Sequence, residues 1–126
     1  MARILSVEDN DDTQFMMHRR LGRAGHEVKV SPNGKQAVEW ARTLQPDLIV
    51  MDLNLPGMDG WEATRLLKTQ PETKHIPIIV VTGQIRESSR EQAIAAGCDE
   101  YVTKPVDFQG LLAKIEALLA RGAPAQ

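Results

Sequence analysis

The sequence predicts an open α/β fold, a doubly wound sheet of five parallel strands with about five helices on its two faces. Short apolar runs rich in strand formers alternate with segments whose apolar residues recur at helical spacing, and the alternation is completed five times without an internal repeat. Two of the runs, Leu48-Ile49-Val50-Met51 and Ile78-Ile79-Val80-Val81, are apolar throughout, as expected of strands covered on both faces. Strands joined through helices in this way pair in parallel, with right-handed crossovers.

Each element has its own signature. Ile4 to Val7 forms the first strand, and Thr13, Met17, Leu21 and Ala24 then repeat at helical spacing until Gly25 ends the first helix. Val28 and Val30 mark the second strand, closed by the turn-forming Pro32-Asn33-Gly34. Ala37, Ala41 and Leu44 give a helix stopped by Pro46. The third strand ends abruptly at Asp52, and a polar loop leads to Asp59, a suitable N-cap for a helix carrying Ala63, Leu66 and Leu67. Pro77 opens the fourth strand, which stops at Thr82. Ser88 or Ser89 starts a helix through Ala93 and Ala96 to Gly97, Tyr101-Val102 is a short fifth strand, and Leu111, Ile115 and Leu118 form the inner stripe of the last helix.

A chain of 126 residues fits one domain, since compact domains commonly run to about 100 to 150 residues. Residues 1–121 are assigned to it, and the small, uncharged stretch from Gly122 to Gln126 reads as a frayed tail or linker stub. With 42% hydrophobic and 25% charged residues the chain can bury a core, which argues against disorder. Its net charge of -2 arises from nearly balanced totals, so no strong field favours nucleic acid or an anionic membrane as the main partner. Cys98 is the only cysteine and reads as a semi-buried thiol, which fits a reducing compartment. No signal-peptide pattern or apolar run of membrane length is present, so a cytoplasmic location is expected.

In open parallel sheets ligands bind beyond the carboxyl ends of the strands, so the residues that terminate the apolar runs carry the functional information. They are Glu8 and Asp9 after the first strand, Asp52 after the third, Thr82 after the fourth and Lys104 just past the fifth. Three carboxylates at close range cannot all stay ionised without a cation, and oxygen-only ligation suits magnesium, with manganese as a substitute. Lys104 adds a positive point charge and Thr82 a hydroxyl that can donate to an anionic oxygen. A cation site, a lysine and a hydroxyl describe a phosphoryl pocket, where positioning and charge neutralisation do most of the catalysis. Asp52, at the centre, is assigned as the nucleophile that becomes an aspartyl phosphate.

The sequence at this point resembles the response-regulator receiver family of two-component signalling, from Ile4 to the last helix. The family's acid pair appears in Val7-Glu8-Asp9-Asn10, and its phosphoacceptor as Asp52 in Met51-Asp52-Leu53-Asn54-Leu55-Pro56-Gly57-Met58-Asp59-Gly60. Its switch hydroxyl and lysine appear as Thr82 and Lys104-Pro105. The resemblance implies a flavodoxin-like, chemotaxis-regulator-like sheet with strand order 2-1-3-4-5. It implies magnesium held by Asp9, Asp52 and the backbone carbonyl of Asn54, with Glu8 acting through a water, Lys104 on the phosphoryl oxygens, and a cis Lys104-Pro105 bond, which proline makes accessible. Tyr101 matches the aromatic residue that turns inward when Thr82 moves toward the phosphate. Asn54 and Gln84 match positions that tune phosphate lifetime, and Gly83 is small enough for the backbone shift of the switch.

The implied function is transfer from a sensor histidine kinase or histidine phosphotransfer protein to Asp52, then hydrolysis at the same site, with signalling to a downstream partner through the last two helices and the fifth strand. Such a chain is a phosphoacceptor signalling protein, with self-phosphorylation and self-dephosphorylation, more than a conventional enzyme. Met1 and the short tail favour a stand-alone regulator. Phe15 and Met16 lie beside the inner stripe of the first helix and are candidates for kinase docking, while Trp61 reads as a packing residue. His18, His26 and His75 do not converge and read as solvated or locally bonded. An aspartate-nucleophile phosphatase uses similar residues, but there the nucleophile follows the first strand and the acid pair comes late. An electron carrier of flavodoxin type is disfavoured because an acidic first loop repels a flavin phosphate. A receiver-shaped interaction module without phosphorylation leaves the complete pocket unexplained.

Overall fold

The computed structural model describes residues 2–53, 57–58, 60–83 and 95–122. Five strands, β1 (Arg3–Val7), β2 (Glu27–Ser31), β3 (Leu48–Asp52), β4 (Ile78–Thr82) and β5 (Glu100–Thr103), form one sheet in the order β2-β1-β3-β4-β5. All four pairings are parallel. This is the doubly wound arrangement expected from the alternating pattern, in the flavodoxin-like order that the family resemblance implies. Among the described residues there are four helices, α1 (Asp11–Arg23), α2 (Gly34–Leu44), α3 (Gly60–Thr69) and α4 (Phe108–Gly122). Of the helix expected between β4 and β5, Ala95 and Ala96 are described and helical; Gln84, Ser88, Ser89 and Ala93 lie outside the described residues, as do Asn54 and Asp59.

Strand periodicity divides the core in two. Leu5 and Val7 of β1 face Ala37, Val38 and Ala41 of α2 and Ala63 and Leu67 of α3. Ile4, on the opposite side of the same strand, packs with Met17 and Leu21 of α1 and with Leu111, Ile115 and Leu118 of α4. Each fully buried leucine or isoleucine contributes about 1.5–3 kcal/mol relative to exposure, which makes these two layers the main source of stability. Every residue of β3 and β4 is buried, whereas every residue of the edge strand β5 is half-buried.

Local chemistry sets the helix ends. The side chain of Asn10 accepts the Thr13 N–H at 2.9 Å and that of Asn33 accepts the Gln36 N–H at 2.8 Å, so both helices that follow the first two strands are capped by asparagine. Gly25 takes φ +93° just after α1, a left-handed conformation natural to glycine. α2 ends at Gln45, which adopts φ 49° and donates its backbone N–H to Ala41 O; Pro46 bars continuation.

One local expectation is corrected. His26 is not solvated or locally bonded but 9% exposed, with Nε2 3.1 Å from Glu116 Oε1. α4 follows β5 and runs back toward the end of the sheet where the strands begin, bringing Glu116 to a residue 90 positions earlier. His18 and His75 are exposed and Cys98 is half-buried, as expected. Burial, followed by the charges of Asp99 and Glu100, pushes the Cys98 thiol up to about 11, so it is unreactive near neutrality. Among the described residues no helix is long and apolar enough to cross a membrane.

Candidate functional site

Strand register brings the chain's chemistry to one edge. Val7 pairs with Met51, so the residues that follow, Glu8 and Asp52, emerge side by side. Asp52 pairs with Val81, which sets Thr82 one step beyond it. Thr82 pairs with Thr103, and the backbone N–H of Lys104 donates to Thr82 O at 2.8 Å. The five strand-end positions picked out in the sequence are thus neighbours because three pairs of parallel strands are in step.

The acids meet closely. Glu8, Asp9 and Asp52 each offer a carboxylate oxygen, and the three oxygens lie within 4.8 Å of one another. Glu8 and Asp52 are 4% and 3% exposed, while Asp9 faces solvent. Lys104 Nζ donates to Asp52 Oδ2 at 2.8 Å. The Lys104–Pro105 bond, which carries the lysine out of β5, is cis. Among the described residues, one lysine stands against three carboxylates, which leaves the pocket short of positive charge. Burial first, then a hydrogen bond and charge repulsion from Asp52, raise the Glu8 carboxyl from 4.5 to about 7, against the opposing pull of the Asn10 N–H and Lys104. A site that retains a proton between two carboxylates near neutrality is suited to a divalent cation that displaces it, and its all-oxygen donors match magnesium.

Backbone packing holds β3 against the next helix. A Cβ at Gly60 would stand 2.4 Å from Asp52 O and 2.7 Å from the Leu53 Cα. The first residue of α3 therefore has to be glycine for the helix to start this close to the end of β3. Gly34 plays a related part, since a Cβ there would be 3.0 Å from Met58 O and 3.2 Å from the Ala63 Cβ.

Of the remaining sequence candidates, Thr82 is 5% exposed, and half-buried Tyr101 packs against the cluster of Leu5, Val7 and Val80. Tyr101 also lines a groove of about 490 Å³ between β5 and α4, with Glu100, Thr103, Pro105 and Lys114 among its other walls. Phe15 and Met16 are 62% and 39% exposed on α1, and Trp61 packs on the α2–α3 side of the core. The carbonyl of Asn54 lies outside the described residues. Sequence reading missed the supports of the acid pair. Ser31 O accepts the Glu8 N–H at 2.9 Å, and the Gln14 side-chain amide donates to Glu8 O. Long polar side chains on exposed helical turns carry no periodic or motif signal.

Comparison with known proteins agrees with this geometry. The family model described as the response regulator receiver domain matches residues 4–116. Protein PilH of Pseudomonas aeruginosa is 40% identical over 120 residues, which cover 95% of this chain and 99% of PilH. The phosphate regulon transcriptional regulatory protein PhoB of Rhizobium meliloti is 36% identical over 98% of this chain, and the match spans 55% of PhoB. Among solved structures, the receiver domain of a sensor histidine kinase from Pseudomonas aeruginosa, determined with a magnesium ion coordinated in its active site cleft, superposes with a TM-score of 0.88 at 33% identity, covering 94% of this chain and 98% of that one. A response regulator structure from Chloroflexus aurantiacus gives a TM-score of 0.90 at 32% identity, over 95% and 98% of the two chains. By fold, by strand-end chemistry and by these matches, the chain belongs to the response regulator receiver domain family of two-component signalling.

Proposed function

We propose that this receiver domain accepts a phosphoryl group on Asp52 from a phosphohistidine of a sensor histidine kinase or histidine phosphotransfer protein. One observation carries the reading: Asp52 is buried at the meeting point of Glu8, Asp9 and Lys104, the last at 2.8 Å. A carboxylate oxygen of Asp52 attacks phosphorus, the bond from phosphorus to the imidazole nitrogen breaks, and the imidazole takes up a proton. Lys104, already on Asp52 Oδ2, stays beside the new phosphoryl oxygens and offsets their charge. Asp9, Asp52, the Asn54 carbonyl and, through water, Glu8 would hold magnesium or manganese. Bound there, the metal ion neutralises and orients the phosphoryl oxygens.

Water attack on the acyl phosphate then returns Asp52 to a carboxylate, which gives the domain its own self-dephosphorylation. The added charge draws in the Thr82 hydroxyl, and repacking of Tyr101 alters the surface formed by β5, α4 and the segment before β5, where a downstream protein docks. Phe15 and Met16, exposed on α1, are the proposed contact for the phosphohistidine donor. The near-balanced charge supports a protein partner over direct nucleic acid or membrane binding, and a cytoplasmic location accords with the single thiol.

Acetyl phosphate with magnesium, followed by intact mass, tests the proposal. One phosphoryl group should be gained by the native chain and none by Asp52→Asn. No gain by the native chain, and no spectral change with beryllofluoride, would sink it; brisk turnover of an unrelated phosphomonoester would favour the phosphatase reading.

A further inference from the structure

We infer that Gln14 is a positioning residue: its side-chain amide fixes the peptide unit between Glu8 and Asp9 and so sets the aim of both carboxylates at Asp52. The inference rests on the phosphoacceptor reading above for its functional meaning. The Glu8–Asp9 peptide is a planar unit, and both of its polar ends are held. Its carbonyl, Glu8 O, accepts from Gln14 Nε2. Its N–H, on Asp9, donates to Glu8 Oε2 at 3.0 Å, and the Asn10 N–H adds a second donor to the same oxygen at 3.3 Å. The plane cannot turn without breaking a hydrogen bond at one end. Its orientation fixes ψ of Glu8 and φ of Asp9, the torsions that direct the two acidic side chains.

Glu8 has other support, being 4% exposed and tied through its own N–H to Ser31 O at 2.9 Å. Asp9 is exposed, so burial does little to aim it and the backbone must. Gln14 is well suited to supply that hold. Side chains on a helix lean toward its N-terminus, so a residue in the first turn of α1 reaches back over the strand end. That turn is itself fixed, since Asn10 Oδ1 accepts from the Thr13 N–H at 2.9 Å and Thr13 Oγ1 at 3.2 Å, and the Gln14 N–H donates to Asn10 O at 2.9 Å. A capped helix thus presents the amide as a preorganised support for the exposed member of the acid pair.

Two variants separate the hydrogen bond from packing. Gln14→Met keeps the length of the side chain and loses the donor; Gln14→Ala loses both. The first measurement is the Asp9 amide resonance in metal-free protein, which should move in both variants while circular dichroism and melting temperature stay close to the native values. The second is the magnesium dependence of labelling by acetyl phosphate. Both variants should need about three- to tenfold more magnesium for half-maximal rate, with a limiting rate within about twofold of native. A loss of folded protein would lower the limiting rate instead. An unmoved Asp9 resonance, an unchanged magnesium requirement in both variants, or a shift in the Ala variant alone overturns the positioning role. A native chain that takes up neither magnesium nor phosphoryl group while Asp9 still responds to Gln14 overturns the phosphoacceptor reading, and with it the function assigned to Gln14, but leaves the backbone contact standing.

Discussion

Lys104 Nζ and Asp52 Oδ2 are joined across 2.8 Å, a pair whose side chains are 32% and 4% exposed. The partial exposure of the lysine tempers the cost of desolvating it, while the aspartate has lost nearly all of its water and faces this cation and the Glu8 carboxyl. Lys104→Met should therefore destabilise the metal-free protein by about 1–3 kcal/mol, less than for a fully buried pair, because it leaves a buried carboxylate without its counter-charge. Urea unfolding at neutral pH measures it. Added magnesium should shrink the difference; an unchanged midpoint without metal would mean that the ion pair contributes nothing.

Asp52→Asn should act in the opposite direction. The amide keeps an oxygen for Lys104 and removes one of the three acids, so metal-free stability should rise by about 0.5–2 kcal/mol even as phosphoryl uptake is lost. Thermal melts in chelator and in magnesium distinguish the two effects. A variant less stable than the native chain in chelator would contradict the charge accounting of the pocket.

Glu8 sets a pH dependence. Its carboxyl lies at about 7 in the folded chain against 4.5 as the ordinary value, so between these pH values the folded protein holds a proton that the unfolded chain has released. Stability should thus fall as pH rises from 4.5 to about 7 and level off above, if other groups are matched by comparison with Glu8→Gln, in which this slope is absent. Unfolding in chelator at about pH 5 and about pH 7.5 reveals it. In the same window magnesium must displace the proton, so its affinity should weaken as pH falls below about 7. Parallel slopes in the two proteins would rule Glu8 out as the source.

Two glycines should respond oppositely to alanine. At Gly60 the new Cβ meets the backbone of Asp52 and Leu53, which cannot turn aside, and Gly60→Ala should cost about 2 kcal/mol or more and impair phosphoryl uptake. Gly22, inside α1, has nothing within 4 Å of a new Cβ, and Gly22→Ala should add about 0.5–1 kcal/mol with uptake unchanged. Denaturation midpoints for the pair, with labelling by acetyl phosphate, provide the check.

The sheet and the strand-end residues were legible because two simple signals coincide. An apolar run such as Leu48 to Met51 states its own length, and the polar residue that stops it, Asp52, reports which edge is functional. Parallel strands in register then make neighbours of residues as distant in sequence as Asp52 and Lys104. What escaped notice depends on tertiary geometry. Gln14 resembles any solvated helical glutamine until its amide is seen on Glu8 O, and nothing marks Gly60 out until its distance to Asp52 O is known. His26 finds Glu116 only because α4 folds back along the sheet, which no local pattern encodes.

The uneven burial of the sheet gives it a mechanical character. β3 and β4 are enclosed on both faces and flanked on both sides, while β5 has β4 on one side and only half-buried residues. Amide hydrogens in the two central strands should exchange only on opening close to global unfolding, and those of β5 through smaller local openings. A disturbance at the end of β3 thus meets rigid ground behind it and compliant ground at the margin. The margin that yields is the one that carries Tyr101.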